Sequence, residues 1–276
     1  MNNLLSVIIP SRNEPYLQKT IQDLLSKAKQ DIEIIVALDG WWDNLDDIVN
    51  DPRVTYLHFS EPRGMRNAIN TAVSISKGDY LLKTDAHCMF SEGFDVVLKK
   101  NCEYDWVVVP RRYALIPKLW EIEKRTNDKY PIDYMYLSKE LHAIPWKERN
   151  INLELKNKLI DDLMSTQGSC WFMRKSYYYW LELEDEINYG SFASEFQEIG
   201  FKVWLSGGKV KVNKGVWYAH FHKTEGRGYS LGNKDFEIAE NYVKRWVNEK
   251  VWRKQRKPFS YMINKFMPIP GWDYIK

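Results

Sequence analysis

The organisation of this chain is set by the sequence Gly78-Asp79-Tyr80-Leu81-Leu82-Lys83-Thr84-Asp85-Ala86-His87-Cys88. Residues 80–84 are apolar or β-prone apart from Lys83, and turn residues precede them, so they predict a short buried strand. Asp85 follows that strand at its carboxyl end, which is the edge where open α/β sheets bind ligands. Asp85 and His87 are two residues apart on an extended chain, point the same way and can bind one divalent ion. One triplet does not separate a metal site from an ordinary loop, so the rest of the chain must decide.

Composition indicates a globular α/β protein with many aromatic side chains. The chain has 276 residues, enough for one large domain or two smaller ones, with 44% hydrophobic and 28% charged residues. The 12 Trp and 17 Tyr predict a large core together with stacking surfaces. A net charge of +3 is too small to imply a polyanionic partner for the chain as a whole.

The sequence predicts a cytoplasmic protein, with peripheral membrane association as an alternative. No apolar run approaches the roughly 20 residues that span a bilayer, and no basic region precedes the first apolar strand. The cysteines are odd in number and form no paired metal motif, which suits a reducing compartment. They are Cys88, Cys102 and Cys170.

Apolar runs alternate with helical patterns in the order expected for a mainly parallel sheet flanked by helices. Strands are predicted at 6–10, 33–38, 53–59, 80–84, 105–110, 167–173 and 209–212. Helices are predicted up to about residue 29, from 62 to about 76, near 93–101 and at 194–204. We expect a domain at 1–232, in which 111–165 forms a helical or loop insertion on the acceptor side, and a basic, aromatic, helical extension at 233–276.

The order of these features resembles the nucleotide-sugar glycosyltransferases of the GT-A (Rossmann-like) fold, broadly family 2. The features are a strand ending in Asp39-Gly40, a helix that begins with Arg and Gly, the Gly78-Asp79 strand and the Asp-x-His triplet. The resemblance covers most of residues 4–222. It sharpens toward the polypeptide N-acetylgalactosaminyltransferases, which carry Asp-Ser-His-Cys at the position of residues 85–88 and a similar Glu-rich segment at the position of 195–208.

The resemblance implies a UDP-sugar donor and a divalent cation. The third metal ligand of the resembling enzymes is a histidine that falls on His220, so Asp85, His87 and His220 would hold the ion, with His222 as the alternative third ligand. The mixed oxygen and nitrogen set suits Mn²⁺ better than Mg²⁺. Such an ion stabilises the charge of the departing diphosphate as a Lewis acid.

The resemblance also implies contacts to the donor nucleotide. Asp39 would accept a hydrogen bond from the base. The helix that begins after Pro62 could bind an anion at its N-terminus, although an ordinary capped helix is an equal interpretation. Nucleoside contacts are expected from Pro10, Arg12 and Glu14, diphosphate contacts from Arg63 or Arg66, and a closing loop from Lys223 or Arg227.

Glu195 is the main candidate for the chemistry, with Glu198 as the second. In inverting relatives an acid in this segment removes the proton of the acceptor hydroxyl. Many of those relatives have Glu-Asp, whereas this chain has Glu195-Phe196. In the retaining N-acetylgalactosaminyltransferases the matching Glu contacts the sugar, so the stereochemistry stays open.

The acceptor and two other functions remain as alternatives. The basic, Trp-bearing segment 244–257 could bind DNA or RNA, dock at an anionic membrane to reach a lipid-linked glycan, or be a solvated helix face. A metal-dependent nucleotidyltransferase would need a Gly-rich, Lys-containing first loop, which residues 11–15 do not provide. A non-catalytic protein that binds nucleotide sugars or carbohydrates is the other alternative.

Overall fold

The computed structural model describes residues 2–41, 48–123, 131–223, 226 and 229–275, with only the backbone described for Asn233. Along the first 110 residues the predicted strands and helices occur in the predicted order, with one additional short strand at Cys88–Phe90. The strands are β1 (Leu5–Ser11), β2 (Ile32–Asp39), β3 (Val54–Phe59), β4 (Tyr80–Thr84), β5 (Cys88–Phe90), β6 (Trp106–Ile116), β7 (Glu121–Ile122), β8 (Met135–Leu137), β9 (Ala143–Pro145), β10 (Ile160–Asp162), β11 (Cys170–Arg174) and β12 (Lys209–His220). The helices are α1 (Leu17–Lys27), α2 (Met65–Ile75), α3 (Phe94–Lys100), α4 (Lys147–Ile151), α5 (Leu153–Asn157), α6 (Lys175–Leu181), α7 (Glu186–Tyr189), α8 (Glu195–Ser206), α9 (Asn233–Asn248) and α10 (Phe259–Phe266).

A mixed, mostly parallel sheet forms the centre of the molecule. Its strand order within the described residues is β10-β12-β6-β11-β4-β1-β2-β3, with β5 added to β12 and β7 to β6. The pairs β1–β2, β1–β4, β2–β3 and β6–β12 are parallel, whereas β11 is antiparallel to both of its neighbours. β8 and β9 form a separate two-stranded sheet.

Helices cover both faces of the sheet because successive side chains of each strand point to opposite sides. In β1, Val7 and Ile9 belong to the cluster that packs with α1 and α3, while Ile8 belongs to the cluster that packs with α2 and α8. All three side chains are fully buried. The predicted α/β architecture is confirmed.

The predicted insertion at 111–165 begins later than the sequence suggests. β6 continues to Ile116 because β12 runs beside it past a bulge between Asn213 and Trp217, so that Trp217 pairs with Arg111. β12 continues through this bulge, so the predicted strand at 209–212 is the first part of a longer strand that ends at His220. Helices α4 and α5 in this region have five residues each.

The C-terminal helices bury their apolar side chains in the main core, while basic side chains such as Lys244 and Arg253 stay exposed. Ala239, Trp246 and Met262 are fully buried in the cluster that contains α8, and Trp252 is 7% exposed. The hypothesis that these indoles stack on nucleic-acid bases is therefore wrong for Trp246 and Trp252. Among the helices in the described ranges, none is long and apolar enough to cross a membrane.

Candidate active site

A cavity of about 880 Å³ opens at the carboxyl ends of β1, β2 and β4. This is the edge at which α/β sheets bind ligands, and the volume lies in the usual range for ligand sites. On one side it is lined by the loop after β1, and on the other by α8, the segment before β9 and α9. The lining includes Pro10, Arg12, Glu14, Asp39, Lys83, Asp85, His87, Arg112, Glu140, His142, Phe192, Glu195, Phe196, His220, His222, Lys223, Tyr229, Phe236, Glu240 and Lys244.

Asp85, His87 and His220 converge within this cavity. The two Nε2 atoms of the histidines are 3.1 Å apart, and Oδ2 of Asp85 lies 3.3 Å from Nε2 of His220 and 3.9 Å from Nε2 of His87. One ligand atom from each residue lies within 4.8 Å of the others. Ligands about 2.1 Å from one ion lie about 3 Å apart when adjacent, so this spacing suits a shared cation.

Strand pairing explains how residues so distant in sequence meet. β5 pairs antiparallel with the end of β12, so that Cys88 lies opposite His220. The N–H of Phe221 also donates to the carbonyl of His87 at 3.2 Å. His222 lines the cavity with its ring against that of His220, the ring centroids being 4.6 Å apart.

The protonation of Asp85 and His220 suits a divalent cation. Burial lowers the pKa of His220 to about 4, so its imidazole is neutral at pH 7. Burial alone would raise the pKa of Asp85, but Lys83, His220 and His87 together outweigh it, and the pKa is well below its usual value. Two imidazole nitrogens 3.1 Å apart need either a shared proton or a cation that both of them bind, and the carboxylate beside them stabilises either positive charge.

Glu14 contacts two of the predicted site residues. Its Oε2 lies 3.0 Å from Nδ1 of His87, and its Oε1 accepts from Nζ of Lys223 at 2.7 Å. With an ionised Glu14, the proton of His87 belongs on Nδ1, which leaves the Nε2 lone pair directed at His220 and Asp85. Arg12 lies beside them, with its guanidinium 4.5 Å from the ring centroid of Tyr229. Arg227 lies outside the described residues.

Lys83 is a buried cation that the sequence shows only as a break in an apolar strand. Its Nζ donates to Oδ1 of Asp85 at 3.0 Å, to Oε2 of Glu195 at 3.3 Å and to the carbonyl of Gly168. Burial alone would lower the pKa of Lys83, but the charges of Asp85 and Glu195 outweigh it and raise the pKa. The ammonium therefore stays charged between the two carboxylates.

Glu195 lies at the cavity, at the first position of α8. Its Oε1 accepts from the indole N–H of Trp171 at 2.7 Å, and Oε2 faces Lys83. A Cβ on Gly168 would come within 2.5 Å of Oε2, so the glycine leaves room for this carboxylate. Ser194 precedes it with φ +63°, a conformation that a non-glycine residue rarely adopts and that is common near functional sites.

Glu198 and Arg66 do not line the cavity. The guanidinium of Arg66 is fully buried and pairs with Glu198 and with Glu184, the latter at 3.2 Å, while Lys202 Nζ lies 2.6 Å from Glu198. Burial alone would raise the pKa of Glu198, but Lys202 and Arg66 outweigh it and lower the pKa. Both side chains are engaged inside this cluster, so in this structure neither is available for the diphosphate contact or the base role expected of them.

Asp39 occupies the helix start that the sequence offered as an anion site. Its Oδ1 accepts from the N–H of Arg63 at 2.5 Å, and its Oδ2 accepts from that of Gly64 at 3.1 Å, just before α2. The anion at the start of this helix is therefore the carboxylate of Asp39 itself. The guanidinium of Arg63 lies 5.0 Å from the ring centroid of Phe59 and does not line the cavity.

Sequence reasoning missed several residues around the carboxylates. Lys83 and Gly168 carried local signals, since a lysine interrupts an apolar strand and a glycine precedes one. Trp171 carried none, because its contact with Glu195 depends on a strand and a helix that meet only in three dimensions.

Comparisons with known proteins identify the family. The sequence model of the family described as glycosyl transferase family 2 matches residues 6–180, which are more than half of the chain. Glycosyltransferase GlyG of Streptococcus pneumoniae serotype 4 is 34% identical over 98 residues, which are 33% of this chain and 33% of that protein. Chondroitin synthase of Pasteurella multocida is 33% identical over 90 residues, 30% of this chain and 9% of the synthase. The matched region thus spans a third or less of these relatives.

Solved structures show the fold. GalNAc-T7, crystallised with UDP, GalNAc and Mn²⁺, has a TM-score of 0.71 at 18% identity, over 89% of this chain and 48% of that one. Residues 1–349 of S. aureus TarS in complex with UDP-GlcNAc give a TM-score of 0.59 at 14% identity, over 95% and 71%. The GT-A fold expected from the sequence is confirmed, and the chain belongs to glycosyl transferase family 2.

Proposed function

We propose that this chain is a metal-dependent glycosyltransferase that moves a sugar from a UDP-sugar to a hydroxyl acceptor. The observation that carries the proposal is the convergence of Asp85, His87 and His220 in a cavity of about 880 Å³. Family membership and the UDP-containing structural neighbours support the nucleotide-sugar donor, and the neighbour with Mn²⁺ supports the metal.

Each residue of the donor side has a distinct proposed role. Asp85, His87 and His220 would hold Mn²⁺ in preference to Mg²⁺, and the bound ion would stabilise the charge of the leaving diphosphate. Glu14 orients His87 through Nδ1, at 3.0 Å, and keeps Lys223 beside the three ligands. Pro10, Arg12 and Asp39 line the cavity and would contact the nucleoside, and Asp39 would do so in addition to accepting from the N–H groups at the start of α2.

Glu195 is proposed to act on the acceptor hydroxyl or on the transferred sugar. Each carboxylate oxygen has two lone pairs, so the donors from Trp171 and Lys83 leave room for one further hydrogen bond at each oxygen. Glu195→Gln distinguishes the roles, since loss of transfer with intact donor binding supports catalysis and a full transfer rate contradicts it.

The acceptor side suits a glycan better than a nucleic acid. Phe192, Phe196 and Phe236 line it together with Glu140 and Glu240. Aromatic faces and carboxylates bind sugar rings and hydroxyls, and the two glutamates offset the attraction of the nearby Lys244 for a phosphate backbone. Activity that falls steeply with salt would instead favour DNA, RNA or an anionic membrane surface carrying a lipid-linked glycan.

The direct test measures donor hydrolysis and transfer with a panel of nucleotide sugars in Mn²⁺, Mg²⁺ or EDTA. Asp85→Asn and His87→Ala should abolish Mn²⁺ binding, followed by electron paramagnetic resonance, together with turnover. Asp162→Asn is a matched control, because its side chain is 27% exposed like that of Asp85 but pairs with Lys211 and Lys265 instead. Full turnover by Asp85→Asn in EDTA would contradict the proposal.

A non-catalytic nucleotide-sugar binder is the second candidate. It is favoured by Phe196, which stands where many inverting relatives carry an acid, and by the protein donors that occupy both oxygens of Glu195. Saturable donor binding without hydrolysis or transfer in any metal would support it.

A further inference from the structure

A charged side chain is buried inside the sheet at Lys83. It lies on β4 between Ile8 of β1 and Trp171 of β11, both fully buried apolar residues. Leu81, two residues earlier on the same face, belongs to the main core. Burying an ammonium group is costly unless it is fully paired, and an apolar residue would suit this position for packing alone. The charge therefore needs an explanation beyond stability.

All three donors of the ammonium have acceptors. Asp85 Oδ1 and Glu195 Oε2 lie 3.0 and 3.3 Å from Nζ, and the carbonyl of Gly168 is the third acceptor. The two carboxylates belong to different parts of the proposed machinery. Asp85 lies with the metal ligands, and Glu195 lies at the start of α8.

We propose that Lys83 is a positioning residue that sets both carboxylates relative to each other. By holding Oδ1 of Asp85, it leaves Oδ2, 3.3 Å from His220, as the single oxygen offered to a metal ion. By holding Oε2 of Glu195, it fixes that carboxylate at a constant spacing from the ion. The inference rests on the proposed function and adds a residue that connects its metal and its carboxylate.

This role predicts opposite effects on metal binding and on transfer. Replacing Lys83 by Met keeps the length of the side chain but removes a positive charge next to a metal ligand. Mn²⁺ should then bind about fivefold tighter or more, because cation–cation repulsion is lost and both oxygens of Asp85 become free. Transfer should slow by about tenfold or more, because Glu195 loses its position. A residue needed only for folding would not tighten metal binding.

The experiment compares Mn²⁺ dissociation constants, by electron paramagnetic resonance, with kcat and KM for the donor in Lys83→Met. Lys202→Met is the matched control, since Lys202 is equally buried and bonded to Glu198 away from the cavity. It should lower stability and leave the Mn²⁺ dissociation constant unchanged. An unchanged or weaker Mn²⁺ affinity in Lys83→Met, or a kcat within about twofold of wild type, overturns the positioning role.

Glu195→Gln gives a second test that does not require Lys83→Met to fold. With Glu195 neutral, the charge of Lys83 acts on Asp85 alone, and Mn²⁺ should bind about threefold weaker or more. An unchanged dissociation constant overturns the inference. If the wild-type protein binds Mn²⁺ but does not transfer sugar, the proposed function is overturned. The Mn²⁺ dissociation constants of Lys83→Met and Glu195→Gln then still decide the role of Lys83. A wild-type protein that binds no Mn²⁺ overturns both.

Discussion

Replacing Arg66 by Met should damage stability rather than donor binding. Arg66 is fully buried between Glu184 and Glu198, donates to the carbonyl of Ala193 at 2.7 Å and lies over the ring of Tyr189. Removing one partner of a buried ion pair costs about 3–5 kcal/mol, because the remaining charge stays buried. For a chain of this size 1 kcal/mol shifts the melting temperature by about 2 °C, so we expect a decrease of about 6–10 °C.

Thermal unfolding followed by circular dichroism measures this shift, and donor saturation kinetics at a lower temperature measures KM. Arg63→Met is the control, because the exposed Arg63 guanidinium contacts only the Phe59 ring among the described contacts, and the change should be about 1 °C or less. A melting temperature within about 2 °C of wild type, together with a donor KM raised tenfold, would refute this reasoning and return Arg66 to the diphosphate.

Two further predictions concern the site. Gly168→Ala should reduce transfer about tenfold or more with little change in donor KM, because its Cβ would come within 2.5 Å of Glu195 Oε2. Gly200→Ala is the control and should keep the full rate, because its Cβ would meet nothing closer than 3.6 Å. Equal rates in the two variants would contradict this prediction. For His220, the folded pKa of about 4 lies below the unfolded value of about 6.5, so metal-free protein should lose up to about 3 kcal/mol as pH falls from 6.5 to 4. Urea unfolding across this range should show a shallower pH dependence in His220→Gln, and identical slopes would argue against the shift.

Local sequence signals predicted the fold well because they arise from neighbouring residues. The apolar runs of β1, β2 and β4 and the position of Asp85 at a strand end follow from periodicity alone. The extension of β6 to Ile116 could not be read in this way, since it depends on pairing with β12 about a hundred residues later. The periodicity of a segment does not show which distant strand it pairs with.

The same difference between local and distant contacts applies to the candidate site. The convergence of His220 with Asp85 came only from the resemblance, because no local pattern relates residues 135 positions apart. The expectation that Arg66 and Asp39 contact the donor likewise comes from the resemblance. In the structure Arg66 meets Glu184 and Glu198, and Asp39 meets the start of α2, so internal partners satisfy charges that the sequence left open.

The pairing of β5 with β12 makes the candidate metal site sensitive to strand alignment. His220 is the last residue of its strand and lies opposite Cys88, so a slip of one position would turn its ring to the other face of the sheet. Three side chains can then share one ion only when the closing strand has docked correctly. A bound ion would link the early and late parts of the chain, and its binding would indicate that folding is complete.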